Sequence, residues 1–283
     1  MRIIESSELF TEIVNGYKHE NKHCGTNMLL MQNEINDLIG AGKLYYDLIE
    51  GILWFFVKQG DYYIAYFYLP KEEKLKLMPQ DLDVIVEIIG NQTRYNSEWE
   101  EALLESGFEK HNKNFEYLEK REECQIEVRL IQEKMNKFVE KMGCHHRSAK
   151  KEDYEAMYQL WTSKIDNYAV HAMTDKELDE MERYNRAHLI LNKKNEILAA
   201  VYYLRTGNTA NVLYNASLQK GFGAVVRLFM ADHAFQEGCD RLISWVYEDN
   251  KDLPFNVNPT WIQKNAITKT GKFSQQFLLR KAN

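Results

Sequence analysis

The stretch that decides the fold lies at residues 216–239 and reads ASLQKGFGAVVRLFMADHAFQEGC. A short polar turn with two glycines, Gly221 and Gly223, follows an apolar run and precedes a segment with helical periodicity. The first turn of a helix carries unpaired N–H groups and the positive end of the helix dipole, and glycine lets an anion approach closely. We therefore predict a strand, a turn and a helix here. The turn either binds phosphate or is only a tight connection.

Helical and strand-like segments alternate on both sides of this turn. We predict helices at 151–162, 175–184 and 225–237, strands at 188–191, 197–204, 211–216 and 241–247, and a C-terminal hairpin at 268–280 that turns at Thr270-Gly271. Thr174 is well placed as the N-cap of the second helix. This order predicts an α/β (α+β) fold with a mixed central sheet flanked by helices.

The first half of the chain also alternates between helical and strand-like segments, but it has fewer of them. Aromatic and β-branched residues predict hairpin-joined strands over 44–69, then a strand at 83–89, a helix at 98–106 and strand structure at 108–119. Only about a dozen residues separate the strands near Leu69 and Asp83, too few for a phosphate loop and a helix of ordinary length. A helical pattern then runs from Arg121 to Met142 and stops at Gly143. We predict domains at 1–120 and 144–283, joined by a helix at 121–143.

The amino-acid composition excludes several classes of function. The chain has 283 residues, is 45% hydrophobic and 28% charged, and carries a formal net charge of −6, so it is globular and an unsuitable partner for nucleic acid. Its four cysteines form no CxxC motif, and the N-terminus shows no cleavable leader, which predicts reduced thiols and a cytoplasmic location. The longest apolar run, at 51–57, is too short to span a bilayer.

Two motifs of the second half carry a resemblance to a known family. The turn reads G-x-G-A over Gly221–Ala224, and the strand RLISWVYEDN at 241–250 ends in V-x-x-x-N. These residues resemble the GNAT superfamily of N-acyltransferases, whose Q/R-x-x-G-x-G/A loop holds the pyrophosphate of acetyl-CoA after a fourth strand that splays from the fifth. Leu218 stands where the family has Gln or Arg, and Val257 where it has a catalytic tyrosine.

The first half shares a weaker part of the same signature. Residues 96–108 resemble the N-x-x-A-x-x-L-Y-x-x-x-G-F pattern of the family, with Trp99 in place of the alanine and Leu103 in place of the tyrosine. The resemblance implies two GNAT-like domains, the N-terminal one degenerate and without a CoA loop. That domain would be structural or would shape the acceptor pocket.

The resemblance implies an acyl-CoA-dependent N-acyltransferase. The co-substrate would be acetyl-CoA or another acyl-CoA, and the acceptor a small amine or an amino-acid-like molecule. The residues expected to meet the cofactor are Val212, Leu213, Tyr214, Gln219, Gly221, Phe222, Gly223, Ala224, Val225 and Asn250. Backbone N–H groups near 215–217 would hold the acyl carbonyl.

Three residues are candidates for proton transfer. Glu248 could take the proton of the amine, and Tyr247 or Tyr214 could protonate the departing sulfur. Each has a structural alternative: Glu248 as part of a solvated turn, and Tyr214 as a packed strand residue on the face opposite to Leu213 and Asn215.

Structural roles are expected for the histidines of this sequence. His171 and His188 lie near the acceptor side, where either could act as a base, although a structural role is favoured. His233 is expected at the surface. The adjacent residues Cys144, His145 and His146 do not form a metal motif, so no metal site is expected.

Two other classes of function stay open. A chain with this fold that has lost the family's Gln or Arg and its tyrosine could be a non-catalytic binding or scaffold protein. An aminoacyl-tRNA-dependent transferase of the Fem type also has tandem GNAT folds, but the acidic net charge argues against it. The sequence predicts no membrane partner and leaves a homodimer open.

Overall fold

The computed structural model of the protein describes residues 1–71, 73–77, 80–121, 133–248 and 267–282. It divides into two compact units, Met1–Asn114 with Lys272–Asn283, and Phe115–Gly271. Mixed sheets flanked by helices confirm the predicted α/β class. The domain limits taken from the sequence stay a prediction.

The elements follow in chain order. They are β1 (Arg2–Ile3), α1 (Ser7–Glu20), β2 (Gly25–Thr26), α2 (Gln32–Gly40), β3 (Leu44–Ile49), β4 (Ile52–Gln59), β5 (Tyr62–Leu69), β6 (Asp83–Asn91), α3 (Ser97–Glu105), β7 (Glu109–Lys120), α4 (described over residues 133–141), β8 (His145–Ser148), a 3-10 turn (Lys151–Asp153), α5 (Tyr154–Lys164), α6 (Asp175–Arg183), β9 (Ala187–Leu191), β10 (Ile197–Thr206), β11 (Thr209–Ser217), α7 (Phe222–Gln236), β12 (Arg241–Tyr247) and β13 (Ile267–Leu279). The part of the predicted joining helix at 122–132 lies outside the described residues.

The N-terminal unit is built on the strand order β1-β3-β4-β5-β6-β13, with β2 beside β5. Hairpins join β3, β4 and β5 in antiparallel register, as the aromatic and β-branched runs predict. One face packs against α1 and α2 through residues such as Phe10 and Phe55, and the other against α3 through Leu103 and Trp54. Each face of the sheet therefore has its own apolar core.

The second unit has the strand order β12-β11-β10-β9-β8. All these pairs are antiparallel except β11 and β12, which run parallel because α7 carries the chain from one to the other. Met230 of α7 and Val139 of α4 pack on one face, and Trp161 of α5 and Met181 of α6 on the other. The helix α7 is thus buried along much of its length beside the parallel pair.

One predicted element is wrong. The segment 268–280 is not a hairpin, because residues 267–279 form the single strand β13. Its residues Lys272–Leu279 pair in unbroken antiparallel register with β6. Gly271 has φ +85° yet does not reverse the chain. The alternation of apolar and polar residues is the same in one long strand and in a hairpin of two short strands. The prediction of a turn therefore depended on Gly271 alone.

Among the described residues, no helix has the length and apolar character needed to cross a membrane.

Candidate functional site

The strands β11 and β12 separate partway along their length. They pair in parallel only over Thr209–Val212 and Arg241–Ser244. Beyond that point β11 stays paired with β10, to Ser217 opposite Ala199, and the Leu218 amide donates to the Leu198 carbonyl at 2.8 Å. Residues 213–217 therefore have a strand neighbour on the β10 side and none from β12. An open strand edge of this kind, at the carboxyl end of a parallel pair, is a usual place for a ligand.

A β-bulge lies at the start of the opening. Tyr202 of β10 is opposite Tyr214, and Tyr203 is opposite Val212, so Leu213 is the extra residue of β11. The bulge moves Val212 into the core on the α7 side and Tyr214 into the core on the α5 and α6 side. Leu213 also packs against the core that contains Tyr214. The expectation that Leu213 and Tyr214 face opposite ways is therefore wrong, because simple alternation does not hold across a bulge.

The helix α7 begins at the glycine turn, with Gly221 as its N-cap in the left-handed region at φ +89°. A Cβ built on Gly221 would meet nothing within 4 Å, so the approach to the turn is open. The Phe222 amide donates to the Gln219 carbonyl, and the Val225 amide to the Gly221 carbonyl, both at 3.2 Å. Within the described residues, the amides of Gly223 and Ala224 have no hydrogen-bond acceptor. Two N–H groups of the first turn are thus available to an anion.

Gly223 brings the first turn of α7 close to the open part of β11. The Asn215 Nδ2 donates to the Gly223 carbonyl at 3.2 Å, and a Cβ on Gly223 would lie 3.3 Å from the Ser217 Oγ. The Asn215 Oδ1 is buried and has no donor among the described residues. The turn and the open strand edge thus form one continuous site, with an acceptor atom still to be satisfied.

The other residues expected at the cofactor divide into two groups. Val212, Phe222 and Val225 are buried in the core on the α7 side, so they can offer only main-chain groups. Gln219 is exposed on the turn, beside the exposed Lys220, a cation that the sequence analysis did not single out. Asn250 lies outside the described residues.

Two of the predicted proton-transfer residues lie at the C-terminal end of the strand β12. Tyr247 is its last residue and is half-buried, and Glu248 follows it and is exposed. Both lie beyond Ser244, the last residue of β12 that pairs with β11. They therefore belong to the part of β12 that has separated from β11.

Tyr214 is held by polar contacts that the sequence does not reveal. It is 3% exposed and lies against the Trp161 ring, with centroids 4.9 Å apart. Its hydroxyl lies 2.5 Å from the His171 Nδ1 and accepts the His171 amide N–H at 3.2 Å. The His171 Nε2 in turn lies 3.3 Å from the Glu177 Oε1. The structure thus joins Tyr214 to two residues of the α5–α6 region that lie far from it in the sequence.

Glu177 also caps α6. Its Oε2 accepts from the Thr174 amide at 2.7 Å and from the Thr174 hydroxyl at 3.0 Å. Burial opposes ionisation of this carboxyl, but the hydrogen bonds from His171 and Thr174 lower the pKa of Glu177 to about 2. The Thr-x-x-Glu spacing of a capping box was visible in the sequence and could have drawn attention to Glu177.

A second group of histidines packs under α7. The rings of His146 and His188 are stacked, with His146 Nε2 3.1 Å from His188 Nδ1, and His188 lies beside His233. His233 was expected at the surface, but it is half-buried, with its Nδ1 3.0 Å from the Tyr203 hydroxyl, because α7 turns this side toward β10. Within the described residues, no group of three or more His, Cys, Asp or Glu side chains is placed to hold a metal ion.

The N-terminal unit contains a similar separation of parallel strands, but a side chain fills it. There β5 and β6 pair only over Tyr62–Ala65 and Asp83–Val86. The buried Asn27 donates to the carbonyls of Ala65 and Glu87, at 3.3 and 3.1 Å, and accepts the Phe67 amide at 2.8 Å. Asn27 thus satisfies the backbone groups that are left open in the second unit.

Comparison with known proteins supports the fold. A scan against protein-family models and a search of the curated proteins found no match. Among solved structures, a GCN5-related N-acetyltransferase from Sphaerobacter thermophilus aligns with a TM-score of 0.50 and 8% identity over 81% of this chain and 76% of that chain. A conserved protein from Enterococcus faecalis V583, titled "Probable N-Acyltransferase", aligns with a TM-score of 0.52 and 11% identity over 99% of this chain and 71% of that chain.

At these identities the likeness concerns the fold alone. The chain has a GNAT-like fold, as the motifs in the second half implied. The tandem arrangement and the degenerate character of the N-terminal half stay predictions.

Proposed function

We propose that this protein is an acyl-CoA-dependent N-acyltransferase, with acetyl-CoA as the leading co-substrate and a small amine or amino-acid-like molecule as acceptor. One observation carries the proposal: the edge of β11 that β12 leaves open leads directly to the free amides of Gly223 and Ala224. An extended chain that ends in a diphosphate suits this shape. Its amides and carbonyls would pair with the open strand edge, and its phosphates would meet the helix N-terminus.

Different residues of the site would bind different parts of the cofactor. The diphosphate would accept from Gly223 and Ala224, with Gln219 and Lys220 beside it and Gly221 giving it room. The backbone from Val212 to Ser217 would hold the pantetheine arm and the acyl carbonyl, with Leu213 and Tyr214 at the bulge. Asn250 is proposed to touch the same arm. The backbone of Phe222 and Val225 keeps the first turn of α7 in position.

The reaction is the attack of a neutral amine on a thioester. The C–N bond forms, the C–S bond breaks, and the amine proton and the departing sulfur each need a proton-transfer group. Main-chain N–H groups of the open edge would stabilise the oxyanion. Glu248, Tyr247 and Tyr214 are the proposed proton-transfer residues, with Tyr247 and Glu248 on the separated end of β12 and Tyr214 on the separated part of β11.

The binding part of this proposal can be tested by thermal unfolding with acetyl-CoA. A ligand at about 100 times its Kd stabilises the native state by about 2.7 kcal/mol, which raises the Tm of a unit of this size by about 5–10 °C. Gly221→Glu should abolish that rise, because a carboxylate would occupy the open approach to the free amides. Gly207→Glu is the matched control, since Gly207 also has positive φ (+62°) and open surroundings but lies in the β10–β11 turn.

Each outcome decides between the two classes of function. A rise in the wild type and in Gly207→Glu, but not in Gly221→Glu, supports the proposal. No rise with saturating acetyl-CoA or longer acyl-CoAs would instead support a non-catalytic protein with this fold.

A further inference from the structure

The proton positions around Tyr214 follow from its contacts. The Tyr214 oxygen accepts the His171 backbone N–H at 3.2 Å, so its own proton is directed to another group. The His171 Nδ1, 2.5 Å away, is an acceptor within reach of that proton. Neutral histidine with an accepting Nδ1 carries its proton on Nε2, and that N–H points to the Glu177 Oε1 at 3.3 Å. The hydrogen bonds thus run in one direction, from Tyr214 through His171 to Glu177.

The carboxylate at the end of this chain is fixed in place and charged. Thr174 donates to the Glu177 Oε2 through both its amide and its hydroxyl, which leaves Oε1 directed to His171. A carboxylate in this position orients an imidazole and stabilises the imidazolium when the ring takes a second proton.

The cluster joins the buried strand to solvent. Tyr214 is 3% exposed and lies in the part of β11 that has no β12 partner. The side chains of His171 and Glu177 are 28% and 25% exposed. A proton that reaches His171 can therefore leave to water.

Residues of α5 and β10 also pack against this cluster and against the loop before α6. The Tyr154 hydroxyl of α5 accepts the Met173 amide at 2.8 Å, and Tyr202 of β10 packs near Tyr214, with centroids 6.3 Å apart. Burial raises the pKa of Tyr154 and of Tyr202, so both phenols stay neutral. Glu177 thus places a negative charge against the His171 ring.

We propose that Tyr214, His171 and Glu177 form a proton relay that takes the proton from the acceptor amine. Tyr214 is the catalytic residue that touches the amine, and His171 and Glu177 are positioning residues. As the C–N bond forms, the amine proton passes to the Tyr214 oxygen while the phenol proton passes to the His171 Nδ1. The sulfur leaves as a thiolate and takes the proton of Tyr247. His171 then releases its proton to water, and the Tyr247 phenolate regains one from water.

The relay rests on the proposed function, and it assigns Tyr214 to the acceptor side. That assignment separates it from Tyr247, which stays on the sulfur side. The general base of the reaction would then be a relay rather than the exposed Glu248.

The hydrogen-bond chain itself is tested without ligand, by NMR of the full chain labelled with ¹⁵N-histidine. We expect the ring nitrogens of His171 to report a proton on Nε2, and Tyr214→Phe to shift the Nδ1 signal. A proton on Nδ1 in the wild type, or no change in Tyr214→Phe, would overturn the relay whether or not the protein binds acyl-CoA.

The role in the reaction is tested by acyl transfer from acetyl-CoA to a panel of small amines. We expect His171→Gln to lower kcat about 100-fold with little change in KM for acetyl-CoA, and to change the shape of the pH profile of kcat. His233→Gln is the control, because His233 is also half-buried and bonded to a tyrosine hydroxyl, away from the open edge. It should keep the wild-type profile.

Failure of the relay and failure of the proposed function look different. Normal acetyl-CoA binding and turnover, with a His171→Gln profile like that of the wild type, would overturn the relay alone. A wild-type chain that neither binds acetyl-CoA nor transfers the acyl group would overturn both.

Discussion

At the scale of single residues, Asn27 satisfies backbone groups of the N-terminal unit whose counterparts in the second unit have no partner from β12. Its side chain donates two hydrogen bonds to backbone carbonyls and accepts one from the Phe67 amide while it is 8% exposed. Removing it leaves buried backbone groups without partners. We expect Asn27→Ala to lower the free energy of unfolding by about 3 kcal/mol, measured by urea denaturation.

Asn36→Ala is the control for this prediction. Asn36 lies on α2 in the same unit, and its exposed side chain accepts from the Ser7 hydroxyl and the Gln32 amide. Its loss should cost about 0.5 kcal/mol or less. Equal effects of the two substitutions would contradict the role assigned to Asn27.

Residues of the candidate site differ in how far the sequence could reveal them. Gly221 and Gly223 were found because a glycine turn between a strand and a helix has a local signature. His171 and Glu177 were not joined to Tyr214, because His171 lies 43 residues from Tyr214 and their contact depends on how α6 packs on the sheet. Asn27 was missed for the same reason, since Phe67 is 40 residues away.

At the scale of elements, the helix α7 and the strand β11 meet through Gly223. Alanine favours a helix over glycine by about 1 kcal/mol, but a Cβ at Gly223 would lie 3.3 Å from the Ser217 Oγ, which donates to the Gln219 carbonyl. We expect Gly223→Ala to be close to neutral in the wild type and to stabilise by about 1 kcal/mol in a Ser217→Ala background. Urea denaturation of the four proteins in this double-mutant cycle measures the difference.

Gly16→Ala provides the reference for that cycle. Gly16 lies inside α1, and a Cβ there would meet nothing within 4 Å. It should stabilise by the same amount in both backgrounds, because Gly16 belongs to the N-terminal unit and Ser217 to the second. An equal gain from Gly223→Ala in both backgrounds would show that no steric contact links the helix to the strand.

Elements with strong local patterns were predicted well, and those set by distant pairing were not. The aromatic runs correctly predicted β3, β4 and β5, because turn residues separate the segments with alternating residues. The helix α7 begins at Phe222 rather than 225, since Gly221 serves as its N-cap and apolar spacing cannot show that. The bulge at Leu213 has no local signature, because it is defined by the register with β10.

At the scale of the whole molecule, the histidines under α7 make stability depend on pH. Burial, with the nearby imidazoles, lowers the pKa of His188 to about 3, and burial lowers the pKa of His146 to about 4. Burial also lowers the pKa of His233. Histidine in an unfolded chain titrates near about 6.5. Between these values the unfolded state binds more protons than the native state, so stability is complete above about pH 6.5 and is lost as the pH falls.

We expect the free energy of unfolding to be nearly constant from pH 7.5 to about pH 6.5 and to fall from there to pH 5. The slope should be about 1.4 kcal/mol per pH unit for each histidine that stays neutral in the native state. Carboxylates such as Glu177, whose pKa is lowered to about 2, lose their contribution only below about pH 4.5, so they do not interfere in this range. Urea denaturation at several pH values measures the slope. His188→Asn should make it shallower, because that side chain does not titrate.

His23→Asn separates this effect from a general response to acid. His23 is exposed and has φ +64°, a conformation that asparagine adopts readily. The variant should keep the wild-type slope. A slope in His188→Asn equal to that of the wild type would show that the buried ring takes up its proton without unfolding, in which case the stacked pair of His146 and His188 opens locally and the stability of the whole chain is independent of it.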